Sequence, residues 1–233
     1  GEASLDAVTT GSDNTAVGDN ALGANTTASN NTAVGSSALL VNTTGTENVA
    51  VGSQALIANT TGDYNTGIGY TSLTANTTGE RNNAVGYGTL AANTTASYNT
   101  AMGHSALYAN TTGASNTAFG NDALTANTTG TGSAAVGANA LDANTTGNYN
   151  VAVGQHALGK NTTGANNIGI GYGSLSEILT VDNNTAVGHI ALTNSVGANN
   201  TAVGSGALTA NTTGASGTAV GFDALKAVTT GGE

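Results

Sequence analysis

The sequence contains three histidines, His104, His156 and His189, whose imidazoles could act as catalytic bases or as metal ligands. Each follows a glycine by one or two positions, and none has a cysteine or carboxylate at the spacing of a metal site. The chain also lacks nucleophile-elbow, phosphate-loop and paired-carboxylate motifs, and the calcium-binding nonapeptide GGxGxD. We therefore expect the histidines to be exposed corner residues. We predict that the protein is not an enzyme and has no catalytic residue, metal site or cofactor.

Charged residues are few, and most of them are acidic. The formal net charge is −10 and there is no basic stripe, so we predict that nucleic acid is not a partner. The apolar runs are far shorter than the twenty or so residues of a bilayer span, which predicts that the chain does not cross a membrane. Scattered surface acids, which we expect to serve solubility, include Asp13, Asp63, Glu80 and Asp122.

Aromatic and threonine side chains offer two ways of binding a ligand. One set of rings shares a single position of the repeat described below (Tyr70, Tyr87, Tyr172, Phe222), and a second set shares another (Tyr64, Tyr98, Tyr149). Such rings could stack on a surface glycan, but packing over a corner or on a neighbouring chain is the simpler interpretation. Paired threonines such as Thr26 and Thr27 could bind ice, although adjacent residues point to opposite faces of a strand.

All of these residues belong to one repeating unit, NTAVGxxALxANTTG, that fills the chain. Its first glycine recurs every 17 residues, with one step of 16 between Gly188 and Gly204, where we expect the alanine before Asn194 to be missing. The pattern predicts a single repeat domain over residues 1–233, with a partial repeat at 1–13 and 13 repeats over 14–233. The glycines are Gly18, Gly35, Gly52, Gly69, Gly86, Gly103, Gly120, Gly137, Gly154, Gly171, Gly188, Gly204 and Gly221.

The repeat places like residues in columns, because each unit is long enough for one coil of a solenoid. An apolar residue precedes every one of these glycines, usually Val, and Leu follows four positions later. Where Ile68 and Ile170 replace Val, the neighbouring Ala becomes Gly and a later Ala becomes Ser, as at Gly67 and Ser72. We interpret this as compensation in a packed seam, so we expect both the Ala and the Val columns to be buried.

Each unit is expected to contain one short strand, such as Thr15 to Val17, that ends at the glycine corner. Ala16 and Val17 point to opposite faces of it, so one apolar face lies inside the coil and the other needs a partner. The following segment is open to two interpretations. N-cap types such as Asn20, Ser37 and Asp122 before an Ala-Leu pair favour a helical turn, and a second short strand is the alternative.

The unit resembles repeats in the shafts of phage tail fibres and bacterial surface fibres. It is similar, more distantly, to the head repeats of trimeric autotransporter adhesins, which form a left-handed parallel β-roll. The resemblance covers Gly1 to Gly231, and it implies an extracellular fibre, on a cell surface, a secreted filament or a virion, with a homotrimer as the favoured assembly.

We therefore expect an all-β parallel solenoid or β-roll of 17-residue coils, packed or intertwined as a homotrimer, with at most one short helical turn per repeat. The expected function is a structural segment of a multi-chain fibre that works by stacking on copies of itself, with adhesion as an additional role. The alternative is a solenoid that binds ice or glycan through Thr, Asn or Tyr columns on one face. The end coils carry no blunting cap, so we expect a fragment of a longer shaft or ends covered by another chain, as in a head-to-tail polymer.

Overall fold

The computed structural model describes residues 1–230 and divides the chain into two compact units, Gly1–Asn116 and Thr117–Glu233. Each unit is a parallel β-solenoid with one three-residue strand in every coil, which confirms the expected fold class. The single repeat domain over 1–233 stays a prediction. The strands are β1 (Thr15–Val17), β2 (Thr32–Val34), β3 (Val49–Val51), β4 (Thr66–Ile68), β5 (Asn83–Val85) and β6 (Thr100–Met102) in the first unit, and β7 (Thr117–Phe119), β8 (Ala134–Val136), β9 (Val151–Val153), β10 (Ile168–Ile170), β11 (Thr185–Val187), β12 (Thr201–Val203) and β13 (Thr218–Val220) in the second.

Strands of successive coils pair in parallel and in register within each unit, so that Ala33 lies beside Ala50 and Ala186 beside Ala202. Backbone hydrogen bonds between coils continue outside the strands, as from Leu39 N–H to the Ala55 carbonyl (3.1 Å). This continuous pairing gives hydrogen-bond partners to backbone N–H and C=O groups that lie outside the strands. Over residues 1–230 there is no helix, and hence none long and apolar enough to cross a membrane.

The two faces of the strands differ, as the alternation of Ala and Val predicted. The central residue of each strand points inward; it is buried in β2 to β13, as Ala33 and Ala152 are, and half-buried at Ala16 in the first strand. The Leu column is buried with it except at the last coil. The residue before the glycine points outward instead, and Val136 is 41 % exposed. The pleat sends alternate residues to opposite faces, so the Ala column fills the coil, and burial of the Val column against a partner stays a prediction.

The segment after the glycine is neither a helical turn nor a second strand. It consists of tight turns, in which Ala21 N–H donates to Gly18 O, Gly23 N–H to Asn20 O and Asn25 N–H to Leu22 O. Asn20 and Leu22 have φ values of 57° and 51°, in the left-handed region, so the N-cap interpretation is wrong at Asn20, Ser37 and Asp122. A left-handed Leu costs about 1–2 kcal/mol. Burying its side chain contributes about 1.5–3 kcal/mol, which offsets that strain.

The glycine that ends a strand is required by its conformation and, where another coil of the same unit follows, also by space. Gly52 has φ of 136°, and a Cβ there would lie 2.5 Å from the carbonyl oxygen of Gly69 in the next coil. No side chain fits at that distance, so the close approach of successive coils at this corner depends on glycine.

Two columns of buried asparagine hold the remaining corners. In the first, Asn59 Nδ2 donates to Asn42 Oδ1 of the preceding coil (2.8 Å) and to the Gly62 carbonyl of its own coil (3.0 Å). In the second, Asn65 accepts from the next coil, since Asn82 N–H donates to its Oδ1 (3.0 Å). These ladders satisfy polar groups that would otherwise be costly inside the coil.

The substitutions that accompany Ile68 and Ile170 have a different physical basis from the one expected. Ile68 points outward, whereas Gly67 faces the interior, where a Cβ would lie 3.1 Å from Ser72 Oγ. At Gly169 the corresponding distance to Ser174 Oγ is 3.0 Å. The missing methyl group therefore makes room for a serine hydroxyl across the coil, and it does not compensate for the isoleucine.

The short repeat lacks a different residue from the one expected. Glu177 N–H donates to the Thr193 carbonyl (3.1 Å) and Val196 N–H to the Thr212 carbonyl (2.9 Å), which places Ser195 in the first Asn column. The missing residue is therefore the second threonine, between Val196 and Gly197, and not the alanine before Asn194. Ser195 Oγ donates to the Gly197 carbonyl and accepts from its N–H, both at 3.2 Å, and so spans the shortened corner.

Candidate functional site

The histidines lie on the corner that follows the strand, and all three are exposed, as predicted. His104 stacks on Tyr87, with ring centroids 5.0 Å apart and planes within 9°. His189 stacks on Tyr172 at 5.5 Å and 15°, and His156 meets the same tyrosine edge to face at 6.3 Å. Within residues 1–230 no group of three or more His, Cys, Asp or Glu side chains is placed to hold a metal ion. Their contacts are those of aromatic rings in a column.

The tyrosines of the first set continue this column within each unit. Tyr70 stacks on Tyr87 with centroids 5.6 Å apart, so Tyr70, Tyr87 and His104 form a three-ring stack in the first unit. About half of each tyrosine remains exposed. Stacked rings offer an apolar surface with polar edges, which suits either a sugar or another protein.

The second set of tyrosines forms a different contact. The Arg81 guanidinium lies between two rings, with its Cζ 5.0 Å from the centroid of Tyr64 and 5.7 Å from that of Tyr98. Arg81 also pairs with Glu80 at 3.0 Å. In the second unit Tyr149 lies over Gly132, whose missing side chain leaves room for the ring. These rings pack over a corner, which is the simpler of the two interpretations given above.

Some of the acidic residues have a structural role that sequence reasoning missed. Asp63 Oδ1 accepts from the Thr46 N–H (2.6 Å) and hydroxyl (3.1 Å) of the preceding coil, and Asp182 accepts from Ala165 N–H (2.7 Å). Their position in the repeat could have revealed this role, because Ser29 and Asn148 occupy the same position in other coils. Both accept a hydrogen bond from the corresponding N–H group of the preceding coil. The carboxylates therefore close corners in addition to carrying charge.

The paired threonines separate as expected. Thr43 is half-buried and its hydroxyl donates to the Thr60 carbonyl (3.2 Å), whereas Thr44 is exposed. A second outward threonine rank lies on the strands, where Thr32 and Val34 both point out on either side of buried Ala33. The strand face therefore presents one threonine rank and one apolar rank, side by side.

A cleft of about 330 Å³ lies in the second unit, at the corner of three successive coils. Asp142 is one of the residues that line this cleft. Burial raises the pKa of its carboxyl above the ordinary 3.8, and the hydrogen bond from Asn139 opposes the rise. Lys160 Nζ pairs with Glu177 Oε2 at 2.6 Å on one side of the cleft. The lining residues are Asp142, His156, Gly159, Lys160, Tyr172, Gly173, Ser176 and Glu177.

Comparison of this chain with protein-family models, with curated proteins and with solved structures gives no match.

Proposed function

We propose that this chain is a structural segment of an extracellular, multi-chain fibre, and that copies of it pack through the outward face of their strands. The observation that carries the proposal is the apolar column before the glycines, which the fold leaves uncovered. Contiguous apolar surface of this kind is typical of protein interfaces. The most exposed members within the strand column are Val17, Met102, Val136 and Val220, and the column also includes Ile68, Phe119, Val153, Ile170 and Val203.

Charge supports a second copy of the same chain as the partner. The molecule has a net charge of −10, which opposes association, but none of the thirteen strands contains a charged residue. The acids lie at corners instead, as Asp63 and Asp182 do. Two copies can therefore approach through their strand faces without bringing like charges together, and their columns have the same spacing from coil to coil.

The resemblance to fibre-shaft and adhesin-head repeats supports three copies and a location outside the cell. In such an assembly the apolar columns of the copies would form a shared core, and the exposed corner rings would remain at the surface. An adhesive role would then belong to the corners. Stiffness would come from the backbone pairing between coils.

The experiment compares sets of substitutions in the second unit. Val136→Asp, Val153→Asp and Ile170→Asp together place three charges on the outward strand face. The matched control, Thr146→Asp, Thr163→Asp and Thr180→Asp, places three charges in the same coils on an exposed corner. Sedimentation equilibrium should give a multi-chain mass for the native protein and for the control, and a single-chain mass for the strand variant.

Circular dichroism checks that the strand variant keeps its fold. Should it unfold, the milder set Val136→Thr, Val153→Thr and Ile170→Thr keeps the branched shape that strands favour while weakening the apolar contact. A native protein that sediments as one chain at every concentration would refute the proposal, as would a folded strand variant of unchanged mass.

The same variants also separate fibre packing from ice binding, which the threonine and apolar ranks on one face could support. Ice binding would be favoured if the native protein is a single chain that shows thermal hysteresis and the strand variant shows none. The fibre proposal expects no hysteresis from any of these proteins, because its strand face is covered by other copies.

A further inference from the structure

The cleft of the second unit lies where the repeat departs most from its pattern. Six residues after the glycine, ten of the thirteen complete repeats have Ala or Val, but Lys160, Glu177 and Asn194 occupy this position in three successive repeats. The Lys160–Glu177 ion pair of 2.6 Å is built from two of them. A fibre spacer does not need such a change, so this corner requires a separate explanation.

The space in the cleft depends on small residues at positions that carry large ones elsewhere. Gly159 occupies the position that Ile57 and Tyr108 occupy in their own coils. A Cβ at Gly159 would lie 3.5 Å from Asp142 Oδ1, so any longer side chain there would cover this carboxylate. Gly173 similarly takes the place of a side chain in its coil. The two glycines leave the carboxylate and the neighbouring ring open to one small ligand.

The groups around that space combine an apolar ring with hydrogen-bonding side chains. Tyr172 is 51 % exposed, and His189 covers one of its faces while His156 meets it edge-on. Asp142 and Glu177 provide acceptors, and Ser176 provides a hydroxyl. A pyranose ring has an apolar C–H surface for stacking and hydroxyls that donate to carboxylates, which matches this set.

We propose that this cleft binds one neutral sugar residue of a glycan, with the sugar packed on Tyr172 and its hydroxyls bonded to Asp142 and Ser176. Two carboxylates and a single lysine line the cleft, and the chain is acidic overall, so an acidic sugar would be disfavoured. A shallow site for one sugar implies a Kd of millimolar order. This proposal is independent of the fibre role.

The test uses the whole chain and an array of neutral and sialylated oligosaccharides, followed by saturation-transfer difference NMR with the neutral glycan that gives the strongest signal. Gly159→Ile should abolish the signal by filling the cleft. The control is Gly23→Ile, because Gly23 occupies the same position of the repeat in the first unit, and neither glycine has a positive φ. Gly23→Ile should bind as the native protein does.

A second pair of variants separates this cleft from exposed rings in general. Tyr172→Ala should reduce binding at least tenfold, whereas Tyr87→Ala, in the stack of the first unit, should have no effect. The proposal is overturned if no neutral glycan binds, if only sialylated glycans bind, or if Gly159→Ile binds normally. Equal losses from Tyr87→Ala or from Gly23→Ile would also overturn it. Sedimentation of Gly159→Ile should match the native protein whichever result is found, so failure here leaves the fibre proposal intact.

Discussion

Ile178 lies one coil beyond Asn161 in the first Asn column, and its side chain is buried. In other coils an asparagine at this position donates its amide N–H to the asparagine of the preceding coil, as Asn161 does to Asn144. Isoleucine has no donor, and Asn161 Oδ1 is the buried side-chain N or O atom that lacks a hydrogen-bond partner within residues 1–230. The Asn161 amide itself is satisfied, since it donates to Asn144 Oδ1 and to the Gly164 carbonyl, both at 3.0 Å. The ladder therefore ends in an unpaired acceptor.

The loss in the free energy of unfolding caused by a substitution in this ladder should depend on how close the substituted residue lies to the end of the ladder. Asn144→Ile removes the donor to Asn127 Oδ1 and also leaves Asn161 Oδ1 unpaired, whereas Asn161→Ile only moves the existing unpaired acceptor to Asn144. A buried unpaired polar group costs about 1–3 kcal/mol. We expect Asn144→Ile to lower the free energy of unfolding by about that much more than Asn161→Ile, measured by urea denaturation. Equal losses from the two variants would mean that Asn161 Oδ1 is already satisfied.

Two glycines only two residues apart should respond oppositely to substitution. Gly86 has φ of 137° and a Cβ there would overlap the Gly103 carbonyl, so Gly86→Ala should destabilise the first unit by roughly 3 kcal/mol or more. Gly88 has φ of 61°, the conformation that Ser37 and Ser105 adopt in their coils. A Cβ added at Gly88 would have Tyr108 Cδ2 as its nearest neighbour, at 3.5 Å. Gly88→Ser should change stability by less than about 1 kcal/mol. Thermal unfolding of the two variants compares them directly, and a larger loss from Gly88→Ser would contradict the assignment of the close corner.

Gly67 and Ser72 should be energetically coupled. Coils with Ala at both positions bury both side chains, as at Ala33 and Ala38, but a methyl added at Gly67 would lie 3.1 Å from Ser72 Oγ. Gly67→Ala should therefore be destabilising alone and well tolerated together with Ser72→Ala. A double-mutant cycle by chemical denaturation should give a coupling energy of about 0.5–3 kcal/mol. Gly67→Ala paired with the outward Ile68→Val is the control, and it should give none.

Asp142 should make stability depend on pH in the direction opposite to that of a salt-bridged carboxylate. Its pKa is raised in the folded chain, mainly by burial, so the folded state binds more protons than the unfolded state between pH 3.8 and the folded pKa. Stability from this group is therefore lost as the pH rises through that interval. Asp142→Asn should remove this pH dependence. Above the folded pKa of Asp142, the variant should be more stable than the native protein. Urea denaturation across the acid range measures the profile, and NMR titration of the carboxyl checks the pKa; a value at or below 3.8 would contradict the prediction.

The sequence was sufficient to predict the solenoid, the strand in each coil and the glycine corner, because a fixed period repeats each of these signals many times. The same repetition identified buried Ala and Leu columns. It did not reveal that Val17 and Val34 face outward, since an apolar residue on either side of a strand looks alike in sequence. Only the direction of the neighbouring alanines in the fold distinguishes the two faces.

The turn segment could not be predicted from residue preferences. Leu22 and its equivalents take a left-handed conformation that bulky residues rarely adopt, and the surrounding polar residues are as suitable for a helix cap as for a turn. The cleft was missed for another reason. Its lining comes from three coils, and Gly159 is informative only when compared with Ile57 and Tyr108 at the same position. The histidines and tyrosines were found individually, but their stacking required the structure.

The corner that omits one residue between Val196 and Gly197 leaves the adjacent strands in register, with Thr185 still beside Thr201. A one-residue change in length within a strand would instead exchange the inward and outward residues of that strand, placing Val in the core and Ala at the surface. This corner is therefore the place where a guest peptide can be grafted, and the solenoid becomes a scaffold that presents inserted epitopes at a fixed pitch.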